Sequence, residues 1–385
     1  MQTPRLAPSP RAGKAGMGSA GQRVRGASML RLEPRAAPSR TMLLLSPLIA
    51  LAVTVLFGAA LFAVLGKSPL AGLALFFVEP VKSLYGLAEL GMKATPLILC
   101  GLGLAACYRA NVWNIGAEGQ FVLGAIAAGG VALLAGDDTT RWVLVPILLA
   151  GVLGGMAWAG IVAFLRDHFH ANEILTSLML VYVAQYLLDD LVYGPWKDPN
   201  GYNFPQTALF AASTTLPKLI PDTRLNIGFA IAMAAVVAMS LFMRRTLQGF
   251  RLIVGGQAPD AARYAGFSAR KSLWTVLLLS GGMSGLAGAL EAVGPLGQLT
   301  PHVSQGYGFA AIIVAFVGRL NAVGIVFSGL LMAMFYIGGE LAQSRLGLPN
   351  AMTGVFQGLL LFCLLAADTL VTHRVRLAHT GVRHA

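Results

Sequence analysis

Residues 109–120 read RANVWNIGAEGQ, a polar, glycine-punctuated stretch that sets Arg109, Asn111, Asn114, Glu118 and Gln120 between apolar runs long enough to lie inside a lipid bilayer. Each unsatisfied backbone group or ionisable side chain at membrane depth costs on the order of several kcal/mol, so irregular polar backbone persists there where it lines a cavity or a pathway. The stretch therefore points to an all-α, polytopic membrane helix bundle with a broken helix in it, and to passage of a polar solute.

Composition agrees. Of 385 residues, 56% are apolar and 11% charged, against roughly 25% charged in an ordinary soluble domain. The net charge of +12 falls in tails and loops between apolar spans, not beside aromatics on a soluble domain. It reads as a topology signal and gives no reason to expect a nucleic-acid partner. Cys100, Cys107 and Cys363 lie inside apolar segments, with neither a disulfide framework nor metal spacing, and read as packing residues.

Catalytic signatures fail on inspection. Gly66, Lys67 and Ser68 end like a phosphate-binding loop, but the position of its first glycine is Leu61. No GxSxG, HExxH or CxxC string occurs, and His168 and His170 lack a third metal ligand. The expectation is a chain with no catalytic residue, no metal and no cofactor of its own, whose energy source is another chain or an ion gradient.

At about 20 apolar residues per spanning helix, spans fall near 42–66, 94–108, 113–135, 142–165, 173–193, 226–243, 272–293, 309–320, 322–339 and 351–372. The second and eighth are too short to cross alone, which predicts broken or short helices near 94–120 and 306–320. Residues 69–92 read as an outer surface segment. Residues 1–41 form a basic, disordered tail with Met17 and Met29 as alternative starts, residues 42–372 the membrane domain, and residues 373–385 a basic C-terminal tail. Excess arginine near span ends marks the cytoplasmic side. The tail, the loop 244–271 and the C-terminus then all fall on that side, as an even number of intervening spans requires. Gly151, Gly155 and Ala159, and Gly281, Gly285 and Ala289, are small residues four apart that let helix backbones approach closely.

The basic loop holds a short helix with its own punctuation. Pro259 suits a first helical position and Gly266 a left-handed stop. Between them Asp260, Ala261, Ala262, Arg263, Tyr264 and Ala265 make a compact element suited to docking in another protein's groove.

RANVWNIGAEGQFVLGA at 109–125, NEILTSLMLVYVA at 172–184, GPWKDPNGYNFPQT at 194–207, GGQAPDAARYAG at 255–266 and GYGFAAIIVAFVGRLNAVGIV at 306–326 resemble, in order, permease subunits of bacterial ABC importers for nucleosides and simple sugars. The resemblance covers essentially residues 42–372. It implies a transmembrane subunit in the bacterial cytoplasmic membrane with both termini cytoplasmic, paired with a second related permease as a heterodimer. It further implies a cytoplasmic ATPase that holds ATP and magnesium, and an external substrate-binding protein or lipoprotein. It identifies 259–266 with the family's coupling helix. Gln257 and Ala258 depart from the asparagine that many relatives carry before the proline.

These readings assign Pro259 to Gly266 to ATPase coupling, and Arg109, Asn111, Trp113, Asn114, Glu118, Gln120, Tyr307 and Phe309 to the translocation path or to the brace of a broken helix. Asn114 is expected to cap the helix that follows it. Glu118 either meets solute or braces Arg109 or a backbone amide, and Trp113, Tyr307 and Phe309 offer faces for stacking. The resemblance favours nucleosides or purines, with monosaccharides as the alternative; a self-contained, ion-coupled transporter or channel built on Arg109 and Glu118 is the competing class.

Overall fold

The computed structural model describes residues 30–34, 40–136, 140–201, 203–349 and 351–377. Its helices, in chain order, are α1 (Arg40–Val64), α2 (Pro69–Phe77), α3 (Leu84–Arg109), α4 (Ala117–Leu134), α5 (Leu144–Phe169), α6 (Glu173–Tyr193) and α7 (Gly228–Arg245). Then follow α8 (Leu247–Gln257), α9 (Pro259–Tyr264), α10 (Ala269–Glu291), α11 (Tyr307–Val317), α12 (Ala322–Leu346) and α13 (Met352–Thr372). Among the described residues eight helices are long and apolar enough to cross a membrane, so the protein is an all-α, multi-pass membrane bundle. With α11 and α13 they account for the ten segments marked by the sequence.

Local chemistry sets the helix ends. The Asn172 side chain accepts from Ile174 N at 2.9 Å and opens α6; the Ser268 hydroxyl accepts from Lys271 N and opens α10. Asn321 does the same for Val323 N at the head of α12, which Gly347 stops with φ +67°. These are side-chain N-caps and left-handed stops, which satisfy amides and carbonyls that a helix end leaves orphaned.

The second segment is corrected. α3 is an unbroken 26-residue helix, buried throughout Ala88–Cys107, not a short span at 94–108. Hydropathy misses its first turns because they carry Glu89 and Lys93, and both charges are paired inside the bundle. The region preceding it is α2, a short apolar helix, then a 3-10 turn over Glu79–Val81. Gly72 of α2 packs on Phe62 of α1 and Phe76 on the rings of Phe335 and Phe356, so this segment is tucked against the bundle.

α3, α4, α5 and α10 form the centre. Where α5 crosses α10 the backbones touch: a Cβ built on Gly155 would lie 2.2 Å from Gly281 O, and one on Gly285 would lie 2.2 Å from Gly151 O. Gly124 of α4 meets Gly285 as closely, at 2.3 Å from its Cα. The small-residue spacing read from the sequence thus marks a helix crossing at backbone contact.

Two further features frame the site. The loop after α6 is stapled to the chain after α10 by Thr207 N to Leu299 O (3.0 Å), Phe210 N to Gly297 O (2.8 Å) and Leu216 N to Val293 O (2.9 Å), which makes it an ordered cap. A short antiparallel ribbon pairs β1 (Leu30–Pro34) with β2 (His373–Leu377). Residues 30–34, expected inside a disordered tail, are therefore extended and paired, and the two ends of the bundle meet.

Candidate functional site

The break between α3 and α4 is built by one asparagine in the left-handed region and another that is buried. Asn111 takes φ +56°, which asparagine tolerates better than most residues, and Val112 N returns to Cys107 O at 3.0 Å to close the end of α3. The chain then turns back into the bundle. Asn114, fully buried, donates from Nδ2 to Ser280 Oγ (3.0 Å) in the middle of α10 and to Gln120 Oε1 (3.2 Å). Its Oδ1 accepts from Gly116 N (2.9 Å) and Gln120 Nε2 (3.3 Å). Tyr108 OH donates to the Asn114 carbonyl (3.1 Å), and Ile115 N to Ser177 Oγ (3.2 Å). Polar backbone is thus buried at low cost because its donors and acceptors are answered. The N-cap of α4 is Gly116, not Asn114; Asn114 forms the turn that delivers it.

Glu118 sits in the first turn of α4 and reaches the first turn of α11. Its Oε2 accepts from Gly308 N at 2.6 Å, and Ser304, Gly306 and Phe309 lie around the carboxylate. Gly306, the N-cap of α11 at φ +82°, makes no side-chain cap bond of its own. Glu118 supplies that cap from another helix and lies at the positive ends of two helices at once. Of the braces considered for Glu118, the backbone amide is the one formed. Arg109 is elsewhere, half-buried beside Arg244, Leu320 and Asn321.

The remaining residues singled out in the sequence diverge. Gln120 is buried within the Asn114 cluster, and Tyr307 is buried between Phe121 and Tyr336, at ring distances of 6.0 and 5.3 Å. Asn111 is exposed, Phe309 half-exposed, and Trp113 half-exposed with Tyr108 and Phe316 against its ring. Tyr307 is thus inside the bundle while Trp113 and Phe309 are part-exposed.

Sequence reasoning missed a second polar cluster, on the far side of the Ser304–Gly308 segment. Lys93 of α3 donates to Glu340 Oε1 of α12 (2.8 Å) and to Gln305 Oε1 (3.1 Å). Tyr336 OH donates to Gln305 O at 3.1 Å. Glu89 takes a forked pair from Arg224 of the capping loop, Nε to Oε1 at 2.9 Å and Nη2 to Oε2. That hydrogen-bonded carboxylate holds the Arg224 guanidinium above its ordinary value. His302, Ser304, Gln305, Tyr336, Glu340 and residues of α13 surround a cavity of about 550 Å³. Charged residues inside apolar helices were the available signal, since they survive there when paired.

At the other end, α9 runs from Pro259 at its first position to a stop at Gly266, φ +76°. Ala262 is buried while Tyr264 is 95% exposed. A groove of about 670 Å³ lies beside it, with Ala110 and Val112 of the break on its wall. Arg166 to Glu173 (2.7 Å) and Asp167 to Arg270 (2.6 Å) and Trp274 (3.0 Å) fix the opposite wall. Gly256 of α8 rests on the end of α3; a Cβ there would lie 2.1 Å from Arg109 O. Among the described residues no cluster of three His, Cys, Asp or Glu could hold a metal ion.

A profile described as the branched-chain amino acid transport system permease component matches residues 86–365. Among curated proteins, a glucose ABC transporter permease protein of Haloferax volcanii is 35% identical over 91% of this chain and 94% of its own length. A guanosine ABC transporter permease protein of Bacillus subtilis is 30% identical over 81% and 90%. A nucleoside ABC transporter permease protein of Lactococcus lactis is 27% identical over 84% and 91%.

Proposed function

We propose, because this chain belongs to the family of branched-chain amino acid transport system permease components, that it is the membrane-spanning subunit of an ATP-driven importer for nucleosides. A simple sugar is the second reading, favoured by the glucose permease relative. The subunit itself performs no covalent chemistry. A cytoplasmic ATPase that holds ATP and magnesium drives it, a second related permease completes the path, and an external binding protein delivers solute. A second nucleoside permease protein of Lactococcus lactis also matches this chain, which supports a heterodimeric pair.

The observation that carries this reading is α9. It presents Tyr264 to solvent while Ala262 anchors it, beside a groove whose wall includes the start of the break. Force applied there passes through α8 to the end of α3, then through the Asn114 cluster to α4, Glu118 and α11. Each joint is packed or hydrogen-bonded, which suits rocking between outward- and inward-open states. In this reading Asn114, Gln120 and Glu118 brace the moving parts. The arginines of 244–271 and the ribbon joining the ends of the bundle support a cytoplasmic location for both termini in the bacterial inner membrane.

Purification in mild detergent, followed by mass spectrometry of what stays bound, tests the proposal. Recovery of an ATPase and a second permease is expected. Recovery of the chain alone, with ion-driven solute exchange in liposomes, overturns it.

A further inference from the structure

The cavity beside α11 has a chemistry that the brace does not need. Its walls bring hydroxyls from Ser304, Tyr336 and Thr353, the Gln357 amide and the Glu340 carboxylate to one space. Each hydroxyl can donate and accept, and the amide does both through separate atoms. Lys93 at 2.8 Å neutralises Glu340, so the space as a whole suits a neutral molecule. Thr353 is 7% exposed, and among the described residues its Oγ1 has no hydrogen-bond partner. The hydroxyl lies against Gly339 of α12, and a buried hydroxyl in that condition forgoes a hydrogen bond that a ligand hydroxyl restores when the side chain turns into the cavity. The volume, about 550 Å³, falls within the range of roughly 300–1,000 Å³ found for small-molecule sites. Ser304 is shared: it lines the cavity, stands beside Glu118 and accepts from Tyr307 N at 3.3 Å, so an occupant touches the same segment that Glu118 caps.

We propose that this cavity is a solute subsite that grips the hydroxyls of a neutral sugar moiety, whether a free monosaccharide or the ribose of a nucleoside. It rests on the importer reading for the class of solute. The site explains how nucleoside and glucose carriers share one framework: the sugar ring is common to both, and the subsite reads that ring.

The test uses the full complex in proteoliposomes, with Thr353→Cys or Gln357→Cys in this chain; its native Cys100, Cys107 and Cys363 are buried. A small charged thiol reagent is applied outside, with and without millimolar D-glucose, D-ribose or guanosine, and uptake of the same three probes by the unsubstituted complex is measured in parallel. The expected result is reaction at both positions and protection by whichever probe is taken up. In addition, Thr353→Val and Gln357→Leu should raise the apparent KM for that probe about two- to tenfold, the worth of one neutral hydrogen bond, with maximal rate retained. Failure of both cysteines to react, or reaction at a rate unchanged by a transported probe, overturns the subsite while leaving the importer standing. Protection without uptake keeps the subsite and overturns the importer. Neither uptake nor protection overturns both.

Discussion

The amide of Gly308 donates to the Glu118 carboxylate at 2.6 Å, joining the first turns of two helices that are 190 residues apart in sequence. A Cβ built on Gly308 would stand 2.3 Å from Glu118 N, so the bond exists because position 308 has no side chain. The geometry places one carboxylate where two helix dipoles converge, and gives the Gly308 amide of α11 the acceptor that its N-cap, Gly306, cannot supply.

Glu118→Gln should therefore insert and fold, because its carbonyl can still accept from Gly308. It loses the charge-assisted part of the bond, about 1–2 kcal/mol. Glu118→Ala should lose more, since the amides at the head of α11 are left unanswered. Thermal unfolding in detergent should rank wild type above Gln above Ala, and uptake should fall in both variants. Unchanged uptake in Glu118→Gln with intact assembly would remove the residue from the path and from the brace alike.

The crossing of α5 on α10 yields a packing prediction. Gly155→Leu or Gly285→Leu forces apart backbones that now touch, and overpacking of this kind costs about 1–3 kcal/mol or more. Folded yield on size-exclusion chromatography should fall sharply. Gly160, whose nearest neighbour for an added Cβ is Leu278 Cδ2 at 3.8 Å, should accept alanine with no loss.

Lys93 and Glu340 suit a double-mutant cycle. Lys93→Met strands a carboxylate and Glu340→Gln leaves a buried ammonium with a weaker partner, so each single change should destabilise. The double variant should recover part of the loss, with a coupling energy of about 1 kcal/mol, because the Glu340 side chain is 46% exposed and screened by solvent. Additive single effects would show that the pair contributes nothing to the fold.

At α9, Tyr264→Ala and Asp260→Lys should reduce ATP-driven uptake to background while membrane insertion and thermal stability stay normal, because both side chains face solvent. Uptake at the wild-type rate in either variant would place ATPase docking elsewhere.

The sequence made some of this legible for physical reasons. A polar, glycine-bearing stretch between apolar runs can only be buried against partners, so the break at 110–116 and the burial of Asn114, Glu118 and Gln120 were readable. Pro259 and Gly266 delimit α9 by backbone conformation alone, and the glycines of α5 and α10 announce close approach by their spacing. What failed to show was non-local. Lys93 finds its partners 212 and 247 residues later, and Glu89 finds Arg224 after 135. Without those partners the start of α3 looks too charged to span, and the cavity near Thr353 has no signature. Arg109 and Glu118, close in sequence, were natural candidates for a pair, yet the turn at Asn111 sends them apart.

Gly256 carries a mechanical meaning. A hinge works by having slack, and the seat of α8 on the α3 terminus has none, since even a methyl group would collide with the Arg109 carbonyl. A displacement of α8 would therefore reach α3 without lost motion. Any compliance in the train lies further in, at the hydrogen-bonded coil of residues 110–116.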